Sequence, residues 1–190
     1  MKRVSKPPEI RRQELLDTAM ELFTRNGYEE TSMGDIARAA GVAQGLCYRY
    51  FDSKQKLFQE AMDQYVRLCC ERFLPVIHDR TRTIRERIDR MALEILETDQ
   101  NSAHSAFYHA PGNQTLHEEL SLKICQYLLP HVTEELRRAC GDGELSLKYP
   151  EAAAGCLLYG QIGLMGGGSL SPEDRAAQML HYAELILSAG

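Results

Sequence analysis

The sequence predicts an all-α protein of about nine helices, and three observations carry that prediction. Apolar residues recur at helical spacing through most of the 190 residues. No run of alternating Val, Ile, Thr and aromatic residues persists for five residues, so strand signals are absent. Helix start and stop residues, such as Asn26-Gly27 and Ser171-Pro172, separate the periodic segments.

Four helices are predicted before Pro75, whose ring ends or kinks the last of them. Ser32 and Asp35 have the spacing of a capping box at the start of the second helix, and Gly41 ends that helix. Ser53 caps the fourth helix. The four helices cover about residues 9–25, 33–40, 44–51, and 54 to the low seventies.

Five more helices are predicted after Pro75. Thr115 and Glu118 have capping-box spacing at the start of a long helix, which Pro130 is expected to kink. Pro150 suits the first turn of the next helix. The five helices cover about residues 83–98, 102–109, 115–140, 150–164 and 172–188.

Composition excludes several classes of protein. With 44% hydrophobic and 26% charged residues, the chain can build a core. No apolar run approaches the roughly 20 residues that span a bilayer, and the first residues lack a signal-peptide core, so we expect a cytoplasmic protein.

The six cysteines form no CxxC pair, which indicates reduced thiols. The net charge of −5 hides a mildly basic head, with 10 Lys/Arg against 8 Asp/Glu in residues 1–58.

The two short helices are joined by Ala40-Gly41-Val42-Ala43, which is the sequence form of a helix-turn-helix. Ala37 is small where the second helix must cross closely, and Gly41 suits a backbone angle that other residues resist. The second helix of such a motif can enter the major groove of DNA.

Residues 31–57, TSMGDIARAAGVAQGLCYRYFDSKQKL, resemble the DNA-binding domain of TetR-type transcriptional regulators, and residues 19–28, AMELFTRNGY, resemble the end of that family's first helix. The resemblance covers about residues 9–58. It implies a helix-turn-helix DNA-binding domain of three helices over residues 1–53, and an effector-binding and dimerisation domain over residues 54–190. Such a protein is a ligand-responsive regulator, by default a repressor, that binds a palindromic operator as a homodimer. This sequence departs from the family pattern at three positions. Ala43 stands where a capping hydroxyl is common, and Cys47 and Gly34 also differ from the pattern.

The resemblance also assigns DNA-contacting positions. The preceding helix opens at Ser32 and Met33, whose amides would face the phosphate backbone. Lys54 lies at a helix N-terminus, which favours a phosphate. The basic tail would either reach an adjacent groove of the DNA or act as a solubilising segment. Tyr48 and Tyr50 would either contact DNA or pack in the core. The tail residues are Lys2, Arg3 and Lys6, and the remaining positions assigned to DNA contact are Gln44, Gly45, Leu46, Tyr48, Arg49 and Tyr50.

The last two helices are expected to form a four-helix dimer interface, as in the resembled family, with residues 152–164 in the first of the two. The alternative is that both helices close the core of the monomer. In the final helix the expected contacts are Ala176, Met179, Leu180, Ala183, Ile186 and Leu187. The middle helices should enclose a cavity for a small apolar or aromatic effector, with no cofactor. Its expected wall residues are Met62, Tyr65, Cys69, Met91, Ile95, Phe107, Tyr127, Leu158 and Gln161.

Two alternatives remain open at this point. A thiol or metal sensor on the same scaffold would use the vicinal Cys69-Cys70, or the cysteines and histidines of the body, although their spacing matches no zinc signature. These body residues are His104, His109, His117, Cys125, His131 and Cys140. An enzyme is not expected, because the sequence contains no phosphate loop, HExxH or GxSxG motif.

Overall fold

A computed structural model describes residues 6–98, 114–165 and 171–188. These ranges form nine helices and no strand, which confirms the all-α prediction. No helix within them is both long and apolar enough to cross a membrane. The helices are α1 (Pro8–Asn26), α2 (Met33–Ala39), α3 (Gln44–Tyr50), α4 (Lys54–Glu71), α5 (Leu74–Ile77), α6 (Ile84–Thr98), α7 (Gln114–Gly141), α8 (Pro150–Met165) and α9 (Pro172–Ser188).

The boundaries follow the caps and breakers of the sequence, with two differences. Pro75 follows the end of α4, but it also stands in the first turn of the short helix α5, which was not predicted. Thr115 is not an N-cap, because α7 already includes Gln114. As predicted, α7 is one long helix that contains Pro130. The helix predicted at residues 102–109 lies outside the described residues.

Helix α4 links the first three helices to the rest of the chain. Its first half packs on α1, where the Phe58 ring meets the Phe23 ring edge-on at 5.2 Å and the Tyr28 ring at 4.8 Å. On its other side, Gln59 donates a 3.0 Å hydrogen bond to Glu119 of α7. Helix α4 is therefore packed on two sides, against α1 and against α7.

The core has two parts. The larger cluster joins α1–α5 to α7 and includes Phe23, Phe51 and Met62, which are fully or almost fully buried. A smaller cluster joins α6, α7, α8 and α9 through Ile84 and Leu136, among others. The first cluster holds the short helices in place, and the second holds together the walls of the cavity described below.

Candidate nucleic-acid interface and cavity

The turn between α2 and α3 is a Schellman motif built on Gly41. Gly41 has φ +66°, a conformation that side chains with a Cβ resist. Its amide donates to the carbonyl of Arg38 at 3.2 Å, and the Val42 amide donates to the carbonyl of Ala37 at 2.9 Å. This double closure fixes the direction in which the chain leaves α2, and so it orients α3.

The start of α2 is fixed just as firmly. The Ser32 hydroxyl accepts from the Asp35 amide at 3.1 Å, and the Asp35 carboxylate accepts from the Ser32 amide at 3.1 Å, so the predicted capping box is present. Thr31, which is fully buried, donates from Oγ1 to the Gly27 carbonyl at 2.8 Å. These bonds tie the N-terminus of α2 to the end of α1.

Helix α3 presents a polar face to solvent. Gln44, Gly45, Tyr48 and Arg49 are exposed, with 48% of Tyr48 accessible, whereas Cys47 is fully buried. The exposed positions are related by four residues, 44 with 48 and 45 with 49, so they share one side of the helix. An amide, a phenol and a guanidinium on one face of a rigid helix can donate hydrogen bonds to base edges and phosphates.

The N-terminus of α3 lacks a side-chain cap. Ala43 occupies the N-cap position in an extended conformation, with φ −72° and ψ 143°, and no side chain accepts from the first-turn amides. The first-turn amides of this helix therefore lack the cap that Ser or Thr would supply.

Some predicted contact positions lie elsewhere than on this face. The side chain of Met33 is only 4% exposed and belongs to the core. The predicted contact is made by its backbone amide and stays a prediction. Leu46 and Tyr50 are half-buried, and Tyr50 packs against the core beside Phe51 at 6.5 Å between ring centroids. Ser32 is exposed, but its hydroxyl is already used in the capping box.

Lys54 already has partners within the chain. Its Nζ donates to the Tyr28 carbonyl at 2.9 Å and to the Glu29 carbonyl at 3.4 Å, and it lies 4.2 Å from the centroid of the Tyr28 ring. The ammonium thus ties the N-terminus of α4 to the α1–α2 loop. A phosphate contact by Lys54 requires its third hydrogen.

The basic tail is only partly described. Lys6 forms an ion pair with Glu14 of α1, which places its charge against the helix. Lys2 and Arg3 lie outside the described residues.

A cavity of about 510 Å³ lies among α4, α6, α7, α8 and α9. Of the wall residues predicted from sequence, five lie in its lining. Met62 does not, because it is fully buried in the larger core cluster, and neither does the half-buried Tyr127. Phe107 lies outside the described residues, as does the side chain of Ile95. The predicted residues in the lining are Tyr65, Cys69, Met91, Leu158 and Gln161.

One buried ion pair stands among the cavity's apolar walls. Arg87 and Glu135 are 7% and 2% exposed, and Arg87 Nη1 donates to a carboxylate oxygen of Glu135 at 2.9 Å. Arg80 and His78 contact the other carboxylate oxygen at 2.9 and 3.2 Å. Burial alone would raise the pKa of Glu135, but the hydrogen bonds from these partners outweigh burial and lower the pKa to about 2.

The sequence analysis missed this pair, although a signal was present. In α6 the apolar positions Ile84, Ile88 and Met91 form a stripe, and Arg87 interrupts that stripe at a core-facing position. Glu135 interrupts the corresponding stripe of α7. A charge in an apolar stripe predicts a buried partner, but the two residues are 48 apart and the partner is not evident from sequence.

The cysteines bear on the sensor alternative. Burial raises the pKa of Cys70 to about 12 and also raises the pKa of Cys69 and Cys125. Because the thiolate is the reactive form, this environment disfavours an oxidant sensor at Cys69-Cys70. Among the residues described, no three His, Cys, Asp or Glu side chains are grouped to hold a metal ion. His104 and His109 lie outside those residues.

The last two helices keep apolar surface on the outside. In α9, Tyr182 and Leu185 are 54% and 50% exposed. In α8, positions 156, 160 and 163 are exposed and carry only a thiol and two glycines. Of the final-helix residues predicted for a dimer, Ala183 and Leu187 are buried, and Met179, Leu180 and Ile186 line the cavity, as the exposed Tyr182 also does. The dimer contacts stay a prediction.

The sequence of the N-terminal helices is similar to those of known regulatory proteins. Residues 15–61 match the family model described as bacterial regulatory proteins, tetR family. The chain is 49% identical over 49 residues to the HTH-type transcriptional regulator AcrR of Shigella flexneri, covering 26% of this chain and 23% of that protein. It is 39% identical over 57 residues to the fatty acid metabolism regulator protein of Bacillus subtilis, covering 28% and 29% respectively. The matches thus span less than a third of these relatives.

Solved structures extend the likeness of fold to nearly the whole chain. A TetR-family transcriptional regulator from Pectobacterium atrosepticum superposes with a TM-score of 0.66 at 21% identity, covering 96% of each chain. The regulator FadR from Bacillus subtilis, solved with stearoyl-CoA, superposes with a TM-score of 0.62 at 21% identity, covering 94% of this chain and 98% of that one. At this identity the likeness concerns the fold.

Proposed function

We infer that this chain, whose N-terminal helices belong to the TetR family of bacterial regulatory proteins, is a transcriptional regulator that binds operator DNA through α3. The observation that carries the proposal is the exposed face of α3, with Gln44, Tyr48 and Arg49 on one side of a helix held by the Gly41 turn. Gln44 is suited to adenine and Arg49 to guanine or a phosphate. The site of action is the cytoplasm, where bacterial DNA lies.

We divide the chain into a DNA-binding part, residues 1–53, and an effector and dimerisation part, residues 54–190. A single α3 reaches few base pairs, so specific binding requires two copies on half-sites about one helical turn apart, or a multiple of it. The exposed Leu185 of α9, the exposed Tyr182 at the edge of the cavity and the small exposed residues of α8 support a homodimer through the last two helices. The sites on the DNA are then related by the same two-fold symmetry.

The effector occupies the cavity, and repression is relieved when it binds. Tyr65 and Cys69 of α4 line the cavity, while Phe58 in the preceding turns of α4 packs on α1. A ligand that displaces the cavity-lining half of α4 therefore changes the separation of the two α3 helices in the dimer. Such coupling is a two-state equilibrium that effector and operator bias in opposite directions.

The test is a gel shift with DNA flanking the protein's own coding region, at two salt concentrations. Specific binding that weakens with salt is expected for a regulator that contacts phosphates. Arg49→Ala should weaken binding at least roughly tenfold, the lower range for a bidentate base contact. Arg138→Ala is the control, because Arg138 is an exposed arginine near the far end of α7, paired with Asp142. Equal binding by both variants would refute the assignment of α3.

A further inference from the structure

Arg87 has unused hydrogen-bonding capacity on one edge. Nη1 carries both of its bonds, one to the Ile77 carbonyl at 2.8 Å and one to Glu135 at 2.9 Å. Its Nε is buried and has no hydrogen-bond partner within the described ranges. No bond from Nη2 is found there either. Nε and Nη2 together form the lateral edge of the guanidinium, which matches the two oxygens of a carboxylate.

The described cavity walls hold more basic than acidic side chains. They include two arginines, Arg72 and Arg87, and one acidic residue, Glu135. Glu135 also binds Arg80, on which Glu134 and Asp142 act from outside the lining. A ligand carboxylate would satisfy the buried Nε of Arg87.

The remaining walls and the volume of the cavity indicate the chemistry and size of the rest of the ligand. Apart from the polar groups around Arg87, its walls are largely aliphatic and aromatic, as at Met91, Leu158 and Ile162. At about 30 Å³ for each non-hydrogen atom, the value for liquid water, the 510 Å³ volume holds roughly 17 such atoms.

We propose that the cavity binds an apolar monocarboxylate, such as a medium-chain fatty acid, with its two oxygens on the Nε and Nη2 hydrogens of Arg87. Because Nε is buried, the guanidinium turns toward the cavity when the ligand binds. This inference rests on the proposed function in taking the cavity as the effector site. Arg87 is then a binding residue for the ligand, and Glu135 is a positioning residue that holds its guanidinium through Nη1.

Calorimetric titration of the full chain with decanoate and with 1-decanol tests the proposal, and it involves no DNA. Transfer out of water favours the neutral alcohol, so a preference for decanoate requires donors in the cavity. Wild type should bind decanoate roughly tenfold to a hundredfold more tightly than decanol, which corresponds to one or more charge-assisted hydrogen bonds. Comparable affinities for the two ligands, or binding of neither, would overturn the proposal.

Variants of Arg87 test where the carboxylate of the ligand binds. Arg87→Lys keeps the charge but loses the two-donor edge, so decanoate affinity should fall about tenfold with decanol unchanged. Replacing both partners, Arg87→Met with Glu135→Met, avoids an unpaired buried charge and should leave decanol bound more tightly than decanoate. Arg90→Met is the matched control, since Arg90 is exposed on the same helix and pairs with Glu94. An unchanged ratio in the double variant, with the helical spectrum and decanol binding intact, would overturn the role of Arg87.

The result is independent of the gel shift. If decanoate fails to bind while the free protein still shifts its operator, the ligand class is wrong and the regulator stands. If decanoate binds as expected while no DNA is recognised, the cavity assignment stands and the proposed function fails.

Discussion

Replacing Glu135 by Gln should destabilise the protein strongly at neutral pH and only weakly in acid. The pKa of this carboxyl is lowered from 4.5 to about 2 in the folded chain, although burial acts in the opposite direction. A lowered folded-state pKa contributes stability that is present above the unfolded value and is lost as pH falls toward the folded value. At 1.36 kcal/mol for each pKa unit, the contribution at pH 7 is about 3 kcal/mol.

The assay is denaturant unfolding of wild type and E135Q followed by helical circular dichroism at one fixed protein concentration. The difference in free energy of unfolding should be about 3 kcal/mol at pH 7 and fall to about half of that by pH 3. For a chain of this size that is roughly 6–12 °C in Tm. The amide cannot carry the charge that Arg80 and Arg87 require, which is the physical reason for the loss.

Glu134→Gln is the matched control, because Glu134 is the exposed neighbour on the same helix. We expect its effect to stay within about 0.5 kcal/mol at every pH. A Glu135→Gln difference below about 1 kcal/mol at pH 7, or one that does not change between pH 7 and pH 3, would refute the reasoning from the buried ion pair.

Three further predictions concern the N-terminal helices and the thiols. Ala43→Ser supplies the missing cap of α3 and should raise the free energy of unfolding by about 1 kcal/mol, measured in urea; no gain would mean that the first-turn amides are otherwise satisfied. Lys54→Met removes the ammonium that bonds to the Tyr28 carbonyl and should cost about 1.5–3 kcal/mol, measured the same way, whereas a cost near zero would mean that the bond contributes nothing in solution. In alkylation followed by mass spectrometry, exposed Cys156 should react first and Cys70, with its raised pKa, last; the reverse order would restore the thiol-sensor alternative.

The first helices could be predicted from sequence because their limits are set by nearby residues. Ser32 and Asp35 are three apart, and Gly41 acts on the turn in which it stands, so local spacing is sufficient. The short helix α5 could not be predicted, because Pro75 indicates an end and a first turn equally well.

The site was harder to predict at positions where tertiary packing determines the exposure or the hydrogen-bond partners of a side chain. Gln44, Tyr48 and Arg49 are exposed because buried Cys47 fixes the rotation of α3, and this follows from helical spacing. Lys54, whose phosphate contact stays a prediction, also bonds to carbonyls of a loop 25 and 26 residues earlier, which no local pattern indicates.

The cavity shows the same limit. Tyr65 and Cys69 lie on the cavity side of α4, but Met62, also predicted to line the cavity, is buried in the larger core cluster, because α4 is covered on more than one side. The Arg87–Glu135 pair depends on a contact between α6 and α7. Periodicity identifies buried positions, but it does not separate core from cavity wall.

Hydroxyl-radical footprinting of the protein on its operator tests the central claim most directly. We expect two protected patches on one face of the duplex, centred about one helical turn or a multiple of it apart and related by a dyad in the sequence. Arg49→Ala should weaken both patches equally. A single patch, or two patches that survive this substitution at unchanged protein concentration, would contradict a dimer that reads DNA through α3.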